Sequence, residues 1–539
     1  MRVKTFSRMA GLSLAAFCVH GQAGMAQSSP KKPNIIVILA DDMGYSDIGC
    51  FGSEISTPNI DRLANNGVRF TQFYNASRSC PTRASLLTGL YQHQAGVGDM
   101  VGDLGYPAYQ GYLNTQCVTL GEAMKVNGYN TYMSGKWHVG DKPETLPRKR
   151  GFDRYFGLID GASSYFQLIP YRNNQKAPKM MLDDSPFFPE DGFYMTNAIA
   201  DHALDFLDEE TPKKDPFFMY LAFTAPHWPL HALPNDIERY RGTYMKGWDE
   251  LRKERFERMK KLGILDASVQ LSPRDERVPA WETLSVEEKK MWDLRMAVYA
   301  AMIHRLDQNI GRVIDKLQEM GELENTMIIF LSDNGGCHEG TKNKGNYIRT
   351  TGETGNPDSF DAYEYPWANV SNTPFRLHKH WVHEGGISTP FIVHFPGSIK
   401  GGRIVREPGH IIDIMPTLLD YAKGRYPSTF NGNKVHAMEG ISLRAALEGK
   451  KLKRKNPLFW EHEGNRALRL DNWKLVSQYD YANKKFMKWE LYNMKSDRAE
   501  LDDLIDKESA IAGYLISLYE KHAARIGVVS KESLDNNRN

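Results

Sequence analysis

Asn34-Ile35-Ile36-Val37-Ile38-Leu39-Ala40 is an unbroken apolar run, rich in β-branched residues. A strand with one wet face alternates apolar and polar residues. A continuous run suits a strand covered on both faces, as in a parallel sheet. Similar runs recur at 130–134, 217–222, 326–331 and 391–394. Helical stretches lie between them. One covers 120–126. A long one covers 285–320 and opens with Ser285 and Glu288 at capping-box spacing. Its positions Leu294, Val298, Ala301, Leu306, Ile310, Val313 and Leu317 make an apolar stripe, which reads as core packing. Strands alternating with helices predict an α/β fold: a large, mostly parallel sheet sandwiched by helices. A chain of 539 residues has length for that core and for a second domain.

After about residue 450 the pattern changes. The segments 457–463, 467–470, 473–477 and 488–492 read as short strands joined by turns. A helix follows, with Ile511, Leu515 and Leu518 on one face. The expected organisation is a catalytic domain over 27–450 and a smaller α+β domain with an antiparallel sheet over 451–539. The charged segment 240–282 reads as inserted helices and loops with a solvated face. At the N-terminus, Arg2, Lys4 and Arg8 precede a short apolar stretch and the small residues around Met25. These predict a signal peptide over 1–26 and an exported, periplasmic protein. Cys18 is a poor lipid-anchor site, because Phe17 precedes it. The net charge of +2 gives no global field for nucleic acid. No apolar run is long enough to span a bilayer. Five scattered cysteines make neither a disulfide scaffold nor a zinc motif.

Ligands of parallel sheets gather beyond the carboxyl ends of the strands. Four polar sets stand there in this sequence. Asp41 and Asp42 follow the first strand, Lys136 and His138 the second, His227 the third, and Asp333 and Asn334 the fourth. Together they would line one pocket. Three carboxylates and an amide oxygen select a hard cation, Ca²⁺ ahead of Mg²⁺. Arg83, Lys136 and Lys379 would hold a tetrahedral anion. His138 and His227 are acid/base candidates, the latter between Pro226 and Pro229. The run Ser79-Cys80-Pro81-Thr82-Arg83 reads as a turn closed by proline, then a cation, then a helix start that favours negative charge.

These motifs resemble those of the arylsulfatase-like, type I sulfatases of the alkaline phosphatase superfamily. Ala40-Asp41-Asp42-Met43-Gly44, Gly135-Lys136-Trp137-His138, Ala225-Pro226-His227, Ser332-Asp333-Asn334-Gly335-Gly336 and Lys379 with Glu384-Gly385-Gly386 stand in that family's order. The run 79–89 resembles its signature, Cys/Ser-X-Pro-X-Arg followed by Leu-Thr-Gly. The resemblance implies an alkaline phosphatase-like fold and hydrolysis of a sulfate ester, on a sulfated carbohydrate or an aryl sulfate. It implies that Ser79, not Cys80, is oxidised to formylglycine. It also implies one Ca²⁺ held by Asp41, Asp42, Asp333, Asn334 and residue 79. In that scheme the hydrated aldehyde attacks sulfur, and Arg83 and His138 stabilise and activate it. Lys136, His227 and Lys379 grip the sulfate oxygens, and His227 protonates the leaving alcohol. A serine at position 79 resembles the serine-type members, which implies a radical S-adenosylmethionine maturase acting before export.

For a sugar-binding rim, Tyr165, Phe166, Tyr171 and Arg172 are candidates, as are Trp460, Glu461, His462 and Glu463. Two other readings compete. A phosphatase or phosphodiesterase of the superfamily would use Ser79 directly with two zinc ions, and His338 is the one spare ligand near the strand ends. A non-catalytic glycan-binding relative would have lost some of the cations and histidines, yet all are present.

Overall fold

The apolar run after Pro33 becomes the central strand of a ten-stranded sheet in the computed structural model. The structure describes residues 1–3, 5, 31–170, 175–210, 213, 215–340 and 352–537. Residues 32–539 make one unit and 1–31 another. The signal peptide expected over 1–26 lies outside the described residues except at 1–3 and 5.

The strands of the main sheet are β1 (Asn34–Ala40), β2 (Val68–Phe70), β3 (Asn130–Gly135), β4 (Arg154–Leu158), β5 (Met180–Leu182), β6 (Ser185–Phe187), β7 (Phe217–Ala222), β8 (Thr326–Ser332), β9 (Phe391–His394) and β10 (Arg403–Val405). Their order across the sheet is β10-β2-β9-β8-β1-β7-β3-β4-β5-β6. The central strands β8, β1, β7, β3 and β4 run parallel. β9 runs antiparallel to β8, so the run at 391–394 is not one of the parallel strands. It is buried on both faces all the same, and apolarity reports burial, not direction.

Side chains of β1 alternate between two cores. Ile36 and Ile38 join the layer of the long helix Val286–Glu319, with Val298, Ala301 and Leu306. Ile35, Val37 and Leu39 join the opposite layer, with Leu86, Leu120 and Leu418. Each such side chain contributes roughly 1.5–3 kcal/mol on leaving water. The capping box of Ser285 and Glu288 forms as its spacing predicts, and Leu294 is the one stripe position only half-buried.

The charged insertion departs from expectation. In the helix Trp248–Lys261, Arg255 is fully buried and pairs with Asp47 at 2.7 Å and Glu54 at 2.8 Å. The run is a solvated face only in part, because acids distant in sequence draw Arg255 inward.

Four antiparallel strands follow: Leu458–His462, Asn465–Leu470, Trp473–Ser477 and Glu490–Asn493. The helix Ser509–Ile526 packs behind them through Leu515 and Tyr519. A buried ionic cluster ties this sheet to the main one. Glu384 accepts from Lys474 at 2.9 Å, from Arg498 at 3.0 Å and from the Tyr74 hydroxyl at 3.0 Å. Burial works to raise the Glu384 carboxyl, but Lys474 and Arg498 hold it down at about 2.

Candidate active site

The parallel register gathers the polar strand ends. Ala40 lies beside Ser332, Leu39 beside Ala222, and Ala222 beside Gly135. The next residues, Asp41, Asp333 and Lys136, therefore emerge side by side. Gly135 lets the chain turn there: its φ is +122°, and a Cβ would sit 1.8 Å from the Ala222 carbonyl oxygen. Gly335 does similar work on the other side. A Cβ there would sit 1.9 Å from the Gly385 oxygen, so the glycine lets the Asp333-Asn334 loop lie against the segment after Lys379.

Ser79 opens the helix Ser79–Thr88, buried along its whole length. The helix starts at Ser79 rather than beyond Pro81. Proline is tolerated in a first turn, where no intrahelical N–H is needed. Arg83, one turn on, donates from Nε to Ser79 Oγ at 2.9 Å. His138 Nδ1 lies 3.4 Å from the same oxygen. Cys80 points elsewhere, its Sγ 3.4 Å from Met100 Sδ.

The ionic groups interlock. Arg83 Nη2 reaches Asp333 at 3.1 Å and Asp41 at 3.4 Å. Lys136 donates to Asp41 Oδ2 at 2.6 Å, and Lys379 to Asp42 Oδ2 at 2.9 Å. His227 Nε2 lies 3.4 Å from both Asp42 Oδ2 and Lys379 Nζ. Asn334 Nδ2 donates to Asp42 Oδ1 at 2.6 Å. Two oxygens in the cluster, Asp41 Oδ1 and Asn334 Oδ1, are buried without a hydrogen-bond partner. A cation or an ordered water would satisfy them.

The sequence matches a family model described as Sulfatase over residues 33–424, and one described as N-sulphoglucosamine sulphohydrolase, C-terminal, over 375–515. The chain belongs to the sulfatase family. It is a sulfuric ester hydrolase. An uncharacterized sulfatase of Schizosaccharomyces pombe is 40% identical over 94% of this chain and 96% of its own. An arylsulfatase of Klebsiella aerogenes is 37% identical over 82% of this chain and 98% of its own. The crystal structure of Ps i-CgsB in complex with k-i-k-neocarrahexaose superposes with a TM-score of 0.66 at 26% identity, covering 92% of this chain and 93% of that one.

In this sulfatase, burial sets the protonation of the pocket. Burial pushes His138 well below the usual histidine range, and Lys136 and Arg83 push the same way. Burial lowers His227 to about 4 against the pull of Asp42. Asp42 is held at about 2: burial raises it, but Lys379 and His227 outweigh that. Asp333 is also low, with Arg83 outweighing burial. Asp41 goes the other way, raised by burial and by Asp333, while burial lowers its partner Lys136. A cation at the open Asp41 oxygen would relieve that mismatch.

All the predicted pocket residues come together: Asp41, Asp42, Ser79, Arg83, Lys136, His138, His227, Asp333, Asn334 and Lys379 are each buried. The rim candidates fare differently. Trp460 is a core residue whose indole donates to the Asn75 carbonyl at 2.7 Å. Glu461 is buried against His93 at 2.8 Å. Tyr165 is buried and donates to the carbonyls of Thr224 and His227, so it braces the His227 loop from within. Phe166 packs on Tyr194 and His231. Tyr171 and Arg172 lie outside the described residues. His338, the spare zinc ligand, packs against Tyr365 and Trp381. Sequence reading missed Glu339, which pairs with Arg78 at 2.9 Å and lies 3.6 Å from Lys379. Nothing but its place after Ser332-Asp333-Asn334-Gly335-Gly336 hinted at it.

Proposed function

We propose that this sulfatase is exported and removes sulfate from a glycan, with residue 79 matured to formylglycine beside one Ca²⁺. The observation that carries the reading is the setting of Ser79 Oγ. It lies 2.9 Å from Arg83 Nε and 3.4 Å from His138 Nδ1, in a cluster that also holds the partnerless Asp41 Oδ1 and Asn334 Oδ1. That donor set is all oxygen, which fits Ca²⁺. Asp41, Asp42, Asp333 and Asn334 would hold the ion, which supplies positive charge against the sulfate oxygens. As a hydrated aldehyde, residue 79 would offer two hydroxyls on one carbon, a nucleophile and a second group able to release the ester, where plain serine has one. A radical S-adenosylmethionine maturase would make that aldehyde before export.

The chain's own residues then divide the work. Three carboxylates already offset Arg83, Lys136 and Lys379, so a bound dication leaves the pocket positive, as an anionic ester needs. Lys136 and Lys379 hold the sulfate oxygens. Arg83 fixes the side chain at 79. His138 is neutral at pH 7, so its Nδ1 can take a proton from a hydroxyl on residue 79. His227 Nδ1 donates to the Trp228 carbonyl at 2.5 Å, so Nε2 of the neutral ring is unprotonated and serves as the acid for the leaving oxygen only once the ring gains a second proton. An anionic ester in the pocket raises that nitrogen's hold on its proton.

The neocarrahexaose complex of the Ps i-CgsB relative supports a glycan substrate. The basic, then apolar leader supports export. Sulfate release from a panel of sulfated mono- and disaccharides tests the reading. Release from at least one saccharide, abolished by Ser79→Ala, is expected. Turnover of aryl sulfates alone, or equal turnover of the matching phosphate esters, would contradict it.

A further inference from the structure

Outside the sulfate pocket, His380, His462 and Glu463 present ligand atoms that all lie within 4.8 Å of one another. His462 ends the first strand of the C-terminal sheet and Glu463 begins the turn after it. His380 follows Lys379 in the main part of the molecule. His380 Nδ1 is 3.0 Å from Glu463 Oε2, and His462 Nε2 is 4.0 Å from the same oxygen. Tetrahedral coordination with bonds of about 2.0–2.2 Å spaces ligand atoms roughly 3.3–3.6 Å apart. The two observed separations bracket that range.

His462 is the telling residue. It is fully buried, yet neither ring nitrogen has a hydrogen-bond partner. A buried polar group left in that state is costly, and a bound ion would satisfy it. The side-chain amide of Asn465 lies 3.4 Å from His380 Nε2, where it orients the ring from behind. His380 and Glu463 both adopt left-handed backbone, with φ of 90° and 49°.

We propose that His380, His462 and Glu463 form a second metal site, for a divalent transition ion of the zinc type, which pins the C-terminal sheet to the loop that carries Lys379. Two imidazoles and one carboxylate favour such an ion over Ca²⁺. The side chains of His380 and Glu463 are 12% and 18% exposed, so the open side of the site faces solvent, where water completes the coordination. The site is distinct from the all-oxygen cluster at the strand ends and stands independently of the glycan reading.

The test uses chelator-stripped, full-length protein held in excess Ca²⁺, so that the strand-end cluster does not compete. Zn²⁺ is titrated by calorimetry, and Co²⁺ by visible absorption. One Zn²⁺ per chain is expected, with the intense visible bands of four-coordinate Co²⁺. Loss of an outer partner of a metal ligand costs roughly 10–100-fold in affinity. His462→Ala and Glu463→Gln, which remove ligands, should weaken Zn²⁺ at least that much. His380→Gln at the partly exposed ligand should do the same without opening the core. The absence of stoichiometric Zn²⁺ uptake by the unaltered chain would overturn the proposal. So would uptake unchanged in His380→Gln and Glu463→Gln.

Discussion

Ser79 and Cys80 are neighbours on one helix, and a helix turns about 100° per residue. That rotation separates their fates. Ser79 faces Arg83 and His138, whereas Cys80 faces Met100 in an apolar layer. Burial raises the Cys80 thiol to about 12, so it is neither a thiolate nor a ligand at neutral pH. Cys80→Ala should leave kcat/KM within a few-fold of the parent, while Ser79→Ala abolishes sulfate release; steady-state kinetics on one sulfated saccharide compare the two. His138→Ala should lower kcat by about 10²–10⁴, the usual worth of a positioned acid or base. A loss of less than tenfold would remove His138 from proton transfer. Lys379→Met should cost about 10²–10³, the scale for losing one preorganised electrostatic contact.

Between elements, the cluster around Glu384 decides how the C-terminal sheet stays in place. Glu384, Lys474 and Glu500 are fully buried, with Lys474 2.7 Å from Glu500. Removing one partner of a buried ionic group leaves an uncompensated charge and costs about 3–5 kcal/mol. Glu384→Gln should therefore lower the midpoint of urea unfolding. The pH dependence has a definite sign. The carboxyl sits at about 2 in the folded state, below its ordinary 4.5. Its contribution is complete above about pH 4.5 and lost as the pH falls toward 2. The stability gap between parent and Glu384→Gln should shrink over that window. A gap that stays constant from pH 7 to pH 3 would mean the glutamate acts by packing alone.

Across the whole molecule, a cation held by the strand-end oxygens would couple metal binding to folding. Stripping Ca²⁺ should lower Tm and abolish turnover, and both should return on adding it back. An ion at a hundred times its Kd contributes about 2.7 kcal/mol. Calorimetry in chelator and in Ca²⁺ measures the difference, and an unchanged Tm would argue against a bound ion. Much of this architecture is legible in the chain. Burial on both faces leaves β-branched runs, and the residues after them mark the pocket. What is not legible depends on long-range pairing. The direction of β9 leaves no mark on its composition. Arg255 turns inward only because Asp47 and Glu54 meet it, and Glu339 reaches Arg78 across 261 positions of sequence. Trp460 looks like a sugar platform until the C-terminal sheet closes over Tyr74. The proposed chemistry depends on residue 79 acting in a modified form. Mass spectrometry of the peptide spanning Ser79 and Arg83, from active enzyme made in its own host, tests it most directly. Loss of two hydrogens at Ser79, with Cys80 intact, is expected. An unmodified Ser79 in fully active protein, or oxidation at Cys80 instead, would contradict it.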